Sequence, residues 1–336
     1  MLRFFARRVA LMVAMLLMLL ALTFVISHIA PGDPAALAAG PDASREMIAQ
    51  LRERMGLDRP LYEQFFRYVA GILHGDLGRS IHTGKAVADD LARYFPASLE
   101  LVLVSIAIAI VIGIPLGVAS AFVQNSWIDH AIRIFSTSGV GLPMFWLGLL
   151  LQQWLSLGWD AFPLGGRLDI LTDPPPAITG FYGLDALLSG QFAVIPDVFS
   201  HIALPAITLC FPALASIIRV NRAEMLETLR QDYVVSARAQ GISTVRVVGV
   251  YALKNAMLPT LAMIGLRFGW MLGGTVLVET VFDWPGIGLY AVQAAVSSDF
   301  EPIMAVTVLV GFSFMVVNFV MDLLYAAIDP RIRVSL

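Results

Sequence analysis

A chain of 336 residues that is 58% hydrophobic and only 14% charged lies outside the range of soluble globular proteins. Its formal net charge of −3 excludes a nucleic-acid partner held by a basic surface. A single cysteine, Cys210, excludes an intrachain disulfide.

In chain order the apolar residues form six blocks, at 9–28, 99–122, 133–157, 201–220, 259–280 and 302–326. Each has roughly the 20 residues needed to cross about 30 Å of hydrocarbon. The expected fold is therefore an all-α membrane protein with six transmembrane helices. Gly113, Pro115, Gly117, Pro143, Gly273 and Gly274 fall inside these blocks, and membrane helices tolerate such residues. Arg3, Arg7 and Arg8 precede the first block like the charged head of a signal peptide. The apolar run that follows is longer than a signal peptide uses, so a retained helix is expected.

Residues 29–98 should form a small helical segment. Ile48, Leu51 and Met55 share one helical face, and Gly56 is placed to end that helix. Leu61, Tyr62, Phe65, Phe66, Val69 and Leu73 make a second stripe, with Asp58 as its expected N-cap and Pro60 in its first turn. Such stripes either pack on the membrane or bundle, or dock a soluble partner; packing is the commoner use. Gly75-Asp-Leu-Gly78 reads as a turn.

Ser136, Thr137 and Ser138 open the third block, either as polar lining or bonded to their own helix backbone. Gly141 and Pro143 should bend it. Segment 158–199 carries Pro174-Pro-Pro176 and reads as an irregular loop, in which Phe181 and Tyr182 are available to touch substrate or a partner.

Between the fourth and fifth blocks lies a polar segment at 221–258. Ala223 to Gln231 should continue the fourth span into water. Asp232 suits a helix N-terminus, where its carboxylate can accept backbone N–H groups. A short helix through Val234 to Gln240 should end at Gly241 in the left-handed region. Ser243 should cap a second short helix through Val245, Val248 and Tyr251. Ala237 and Ala239 would leave a thin surface for a partner, and Arg238 and Arg246 would supply charge. An ordinary solvated loop is the plainer alternative.

Arg219, Arg222, Arg230, Arg238, Arg246 and Lys254 cluster around this segment, and Arg331 and Arg333 follow the sixth block. Segment 158–199 has only Arg167 as a basic residue, and 282–301 has none. The positive-inside rule then puts both termini and the 221–258 loop in the cytoplasm.

Within the blocks, Arg267 stands out, because a charge inside a span faces a cavity or a partner. It either lines a translocation path and attracts a carboxylate, or pairs with Asp322 or a neighbouring subunit. Trp270, Ser138 and Asn318 join it as candidate path residues. No phosphate loop, dinucleotide fingerprint, HExxH or GxSxG is present, and His28, His74, His82, His130 and His201 are scattered. No enzyme activity, metal or bound cofactor is expected of this chain.

The stretch Asp232-Tyr-Val-Val-Ser-Ala-Arg-Ala-Gln-Gly-Ile-Ser-Thr-Val-Arg246 resembles the coupling-loop motif of ABC importer permeases, Glu-Ala-Ala followed three residues later by Gly. Val235, Ser236 and Ala237 occupy the Glu-Ala-Ala positions, so the Glu is replaced, and Gly241 is the glycine. Tyr251-Ala-Leu-Lys-Asn-Ala-Met-Leu-Pro259 resembles the dipeptide/oligopeptide/nickel subfamily. So do Ala30-Pro-Gly-Asp-Pro34, Met55-Gly-Leu-Asp-Arg-Pro60, Gly75-Asp-Leu-Gly78 and Pro143-Met-Phe-Trp-Leu147. Glu279-Thr-Val-Phe-Asp-Trp-Pro-Gly286 and Asp322-Leu-Leu-Tyr-Ala-Ala-Ile-Asp-Pro-Arg331 complete the set, in family order along nearly the whole chain.

The resemblance implies a type I ABC importer permease of the B-subunit kind, in a bacterial inner membrane. It implies a division into a cytoplasmic N-terminus with the first helix at 1–28, an external segment at 29–98, and a permease core at 99–336 with its coupling loop at 221–258. It implies a second homologous permease, one or two ABC ATPase subunits that bind ATP and Mg, and an external substrate-binding protein, all working in membrane lipid. Asp232, Tyr233, Ala237, Arg238, Ala239 and Gly241 are the implied ATPase-contact residues. Di- and oligopeptides are the expected substrates, with nickel chelate, glutathione, opine or oligosaccharide as alternatives. Arg267 departs from the family pattern, which has a neutral residue there, often Gln. A self-contained secondary transporter is the competing class; it would show internal repeats and paired broken helices with acids at the midplane.

Overall fold

The computed structural model describes residues 2–29, 34–39 and 43–328. The Ala30–Pro34 and Asp322–Arg331 matches lie partly outside them, as do Arg331, Arg333 and the side chains of Arg3, Arg7 and Met55.

The described residues are helical, with one isolated bridge between Arg79 and Ala86. The helices begin with α1 (Leu2–Ile29), α2 (Pro34–Ala39), α3 (Arg45–Met55), α4 (Leu61–Leu73) and α5 (Val87–Phe122). Next come α6 (Trp127–Gly141), α7 (Met144–Leu151, continued by a π turn over Gln152–Gly158), α8 (Tyr182–Leu188) and α9 (Ile195–Thr228). Then follow α10 (Asp232–Ala239), α11 (Thr244–Arg246), a π turn over Val247–Ala252, α12 (Leu253–Val281), α13 (Ile287–Val296) and α14 (Phe300–Ile328).

Five of these stretches are long and apolar enough to cross a membrane: Arg8–Ile26, Val87–Phe122, Phe192–Thr228, Thr244–Val281 and Phe300–Leu324. The block at 133–157 is bent at Gly141–Pro143, as expected, and more sharply than a kink. It is two helices, Trp127–Gly141 and Met144–Gly158, meeting at 108°, and the count rises to six only if this pair is one span. The cause lies at Leu142-Pro143. Proline disfavours the helical region for the residue before it, and here Leu142 stands extended at φ −84, ψ 127.

The chain divides into two compact units. The first comprises Met1–Ala97 and Pro285–Met315. Its core joins Val87 and Leu91 of α5, Ile287 and Tyr290 of α13, and Ala305 and Val306 of α14. The Tyr290 hydroxyl donates to the buried Asp90 carboxylate at 3.0 Å, and Tyr94 stacks on the Tyr290 ring at 5.2 Å. Helix α3 starts on Ser44, whose hydroxyl accepts from Met47 N–H, and ends on Gly56 at φ 71, as the sequence predicts. The α4 cap is Pro60, with no side-chain cap bond, so Asp58 does not serve as the expected N-cap.

The second unit comprises Ser98–Trp284 and Val316–Leu336. Helix α9 is its axis, buried along most of its length although Pro205 and Pro212 lie inside it. Small residues let neighbours approach it. A Cβ at Gly117 of α5 would stand 2.7 Å from the Asn221 Oδ1 of α9, so only glycine fits there.

The 158–199 loop is firmly anchored in this unit. Arg167 and Glu100 form a buried ion pair. The Arg167 guanidinium sits 3.6 Å from the Tyr182 ring centroid and 5.6 Å from that of Trp284. Tyr182 therefore faces inward onto Arg167. Glu100 also accepts from Gly183 N–H at 2.9 Å. Buried Asp185 accepts from Thr179 N–H, the Thr179 hydroxyl and Gly180 N–H at 2.8, 2.6 and 2.9 Å. Burial alone would raise the Asp185 carboxyl, but these bonds outweigh it and hold the group below the usual carboxylate value. Gln152 of the π turn donates to the carbonyls of Leu164 and Val281 at 2.8 and 2.9 Å.

Candidate functional site: the knob between α9 and α12

Helix α9 runs to Thr228 and closes in a turn, with Leu229 N–H bonded to Met225 O at 2.9 Å. Gln231 then stands extended and α10 begins at Asp232. Asp232 is thus the first helical residue rather than the cap, and α10 has no side-chain cap bond.

The end of α10 follows from Gly241, which adopts φ 75. Gly241 N–H bonds to Arg238 O at 3.0 Å and Ile242 N–H to Ala237 O at 3.2 Å. This pair of bonds satisfies carbonyls at the helix end and reverses the chain. Ile242 then packs back on a small core of Val234, Ala237 and Val247, joined by Leu229. The second helix is not short. Ser243 makes no side-chain cap bond, and Thr244 to Val281 forms one apolar stretch through the Val247–Ala252 π turn.

The knob is rooted at both ends. Ala121 of α5, Met225 of α9, Val248 and Ala252 of the π turn and Ala256 of α12 make a second buried cluster. Beside it, Arg222 of α9 grips the fully buried Asp129 of α6 with two bonds of 2.8 and 2.9 Å. The Ser120 hydroxyl donates to Asp129 at 2.6 Å, and Asn125 N–H donates at 2.9 Å. Such bidentate charge-assisted bonds are strong and geometrically specific. Sequence reasoning missed this link. Its one readable signal was Ser126 three residues before Asp129, a helix-start pattern that the structure uses, with Ser126 accepting from Asp129 N–H.

Of the expected ATPase-contact residues, Asp232, Arg238, Ala239 and Gly241 are exposed on the knob. Tyr233 is 41% exposed and its hydroxyl accepts from Asn255 Nδ2 at 2.8 Å, which fixes the ring against α12. Ala237 is corrected: at 5% exposure it is core, because it faces Val234 and Val247. Val235 at 58% and Val245 at 84% are exposed apolar residues that sequence reasoning left out of the set. Their phase against Val234 and Val247 was the available signal.

The expected path residues stand on three helices. Ser138 is exposed on α6 and its hydroxyl bonds to Ile134 O at 2.7 Å, so it satisfies itself on its own helix. Trp270 is exposed on α12, and Asn318 is partly buried on α14. Arg267 is partly buried on α12, and its Nε is buried with no hydrogen-bond partner. Among the described residues no group of three His, Cys, Asp or Glu side chains is placed to hold a metal ion.

Residues 113–334 match the family described as "Binding-protein-dependent transport system inner membrane component". Residues 1–107 match "Binding-prot-dependent transport system membrane comp, N-term". The chain is 47% identical over 311 residues to the probable D,D-dipeptide transport system permease protein DdpB of Escherichia coli, covering 93% of this chain and 92% of that one. It is 42% identical to the di/tripeptide transport system permease protein DppB of Pseudomonas aeruginosa, over 99% of each chain. It is 36% identical to the glutathione transport system permease protein GsiC of Escherichia coli, again over 99% of each. The chain belongs to the binding-protein-dependent transport system inner membrane component family and is a multi-pass inner-membrane transport subunit.

Proposed function

We propose that this subunit is the permease of an ATP-driven ABC importer for di- and oligopeptides, and that the knob is where cytoplasmic ATPases grip it. The observation that carries this reading is a knob with its own core and two roots, which nonetheless leaves Tyr233, Val235, Arg238 and Val245 in water. Exposed apolar residues ringed by polar ones mark interaction sites. The peptide reading is favoured over nickel chelate, opine or oligosaccharide by the names of the relatives above, and family membership weighs against a self-contained secondary transporter.

In this reading the bent pair is one of six spans, both termini and the knob are cytoplasmic, and the division into 1–28, 29–98 and 99–336 holds. A second homologous permease completes the path, and an external binding protein delivers substrate. ATP and Mg bind to the partner subunits. Asp232, Tyr233, Arg238, Ala239 and Gly241 meet the ATPase together with Val235 and Val245, while Ala237 supports them from below. ATP-driven approach of the ATPases carries the knobs with it and opens the bundle outward; hydrolysis resets it. The shift is driven by the difference in ATPase contacts between the two states.

Arg267 lines the path in this reading, with Trp270, Ser138 and Asn318. An orphaned guanidinium nitrogen inside a span is costly unless an anion answers it. A peptide carboxylate is such an anion.

The test is transport in proteoliposomes holding the chain with its co-purifying subunits. Val235→Asp and Arg238→Glu should release the ATPase and abolish ATP-dependent peptide uptake while this chain remains folded. Arg267→Gln should keep the assembly and lose the preference for a free peptide C-terminus over its amide. Uptake indifferent to ATP, with no ATPase co-purifying, would overturn the importer reading; loss of assembly in Arg267→Gln would move Arg267 to a structural role.

A further inference from the structure

Helix α4 has two unlike long faces. Tyr62, Phe66, Ala70 and Leu73 are spaced at i, i+4, i+8 and i+11, so they form one stripe. Tyr62 is 66%, Phe66 68% and Leu73 80% exposed. Phe65, Val69 and Ile72 lie beside that stripe and are partly buried. Glu63, Gln64, Arg67 and His74 gather on the remaining face. Three large apolar side chains held in water on one short helix need a covering.

The position of α4 says what covers it. Phe24 lies on α1, four residues before the end of the first apolar block at 9–28. Its ring stands edge-on to Phe65 at 5.4 Å and 6.1 Å from the Tyr68 ring. Four residues of helix span about 6 Å. Helix α4 is therefore tied to α1 just inside the level at which that span leaves the hydrocarbon. A helix at that depth meets the zone between headgroups and acyl chains, where amphipathic helices lie with their apolar face buried about 5–10 Å. Tyr62 suits this zone, since tyrosine concentrates at membrane interfaces. Arg67, exposed and in no ion pair, stands on the polar side where lipid phosphates would be.

We propose that α4 is an interfacial membrane anchor, docked by its Tyr62–Phe66–Leu73 face into the lipid leaflet at the C-terminal end of α1. The partner is the bilayer itself, not a soluble protein or a second copy of the chain. The argument does not depend on which leaflet this is. It requires only that Arg8–Ile26 crosses the membrane, so it stands or falls separately from the knob and the peptide substrate.

The experiment is spin-label accessibility on the full chain, with its associated subunits, in nanodiscs of phosphatidylcholine and phosphatidylglycerol. Nitroxides are placed at Phe66→Cys, Leu73→Cys and Gln64→Cys in a Cys210→Ala background, with transport confirming that each variant folds. The ratio of oxygen to water-soluble nickel-chelate collisions should be several-fold higher at 66 and 73 than at 64. Equal, nickel-dominated collisions at all three sites would show a water-exposed helix and overturn the proposal. Low collisions with both reagents at 66 and 73 would show a protein cover, and would overturn it in favour of a docked partner.

Discussion

The 158–199 loop and the 229–252 knob are both polar excursions between apolar helices, yet they are held in opposite ways. The loop is tied down: a buried ion pair to Glu100 of α5, a carboxylate that accepts from backbone N–H groups and a guanidinium beside two aromatic rings fix it within its own unit. The knob has a core of only Val234, Ala237 and Val247 and faces outward with Val235 and Val245. Its fixed points lie at its roots, in the Arg222–Asp129 grip and the Met225–Ala256 cluster. The loop spends its chemistry on staying in place. The knob leaves its outer surface open and is held at its roots.

The contrast can be sharpened by substitutions that should harm one region and spare the other. Arg167→Ala strands Glu100 without its cation in a buried site. The loss should be roughly 3–5 kcal/mol, read as a fall in thermal stability in detergent, because removing one partner leaves an uncompensated charge. An unchanged melting temperature would show that the loop is not held as described.

Asp185→Asn comes next, at roughly 1–3 kcal/mol, since a charged acceptor of several bonds is weakened. This loss depends on pH. The folded Asp185 value lies below the unfolded one of about 3.9, so its contribution is present above that pH and fades as pH falls through the folded value. The stability gap between the native chain and Asp185→Asn should narrow on acidification below about pH 4; a gap constant with pH would count against the carboxylate.

Smallest in stability and largest in function should be Gly241→Ala. Nothing crowds the site, so the cost is the left-handed backbone alone, roughly 1–2 kcal/mol. The chain reversal that presents the knob should nevertheless shift, and ATP-dependent uptake should fall far more than the melting temperature does. Equal losses in both would make the knob one more self-held loop.

Much of this was legible in the sequence. Five apolar stretches and the Gly241 reversal follow from hydropathy and from the one residue that accepts a positive φ freely. The sharp break at Leu142 was underestimated, because a bend and a chain reversal share the same Gly–Leu–Pro signature and only the flanking packing separates them. The burial of Ala237 was invisible, because alanine is equally at home outside and inside. The Arg222–Asp129 link joins residues 93 positions apart, and no local spacing encodes such a pair.

The unbroken stretch from Thr244 to Val281 has a mechanical meaning. From Arg246 at the knob to Arg267 the helix runs 21 residues, about 30 Å at the usual rise. Its knob end carries the π turn at Val247–Ala252 and packs on the α9 root. Under the function proposed above, a displacement of the knob would reach Arg267 along one helix with no loop between them, Pro259 being the point where the ladder lacks a bond.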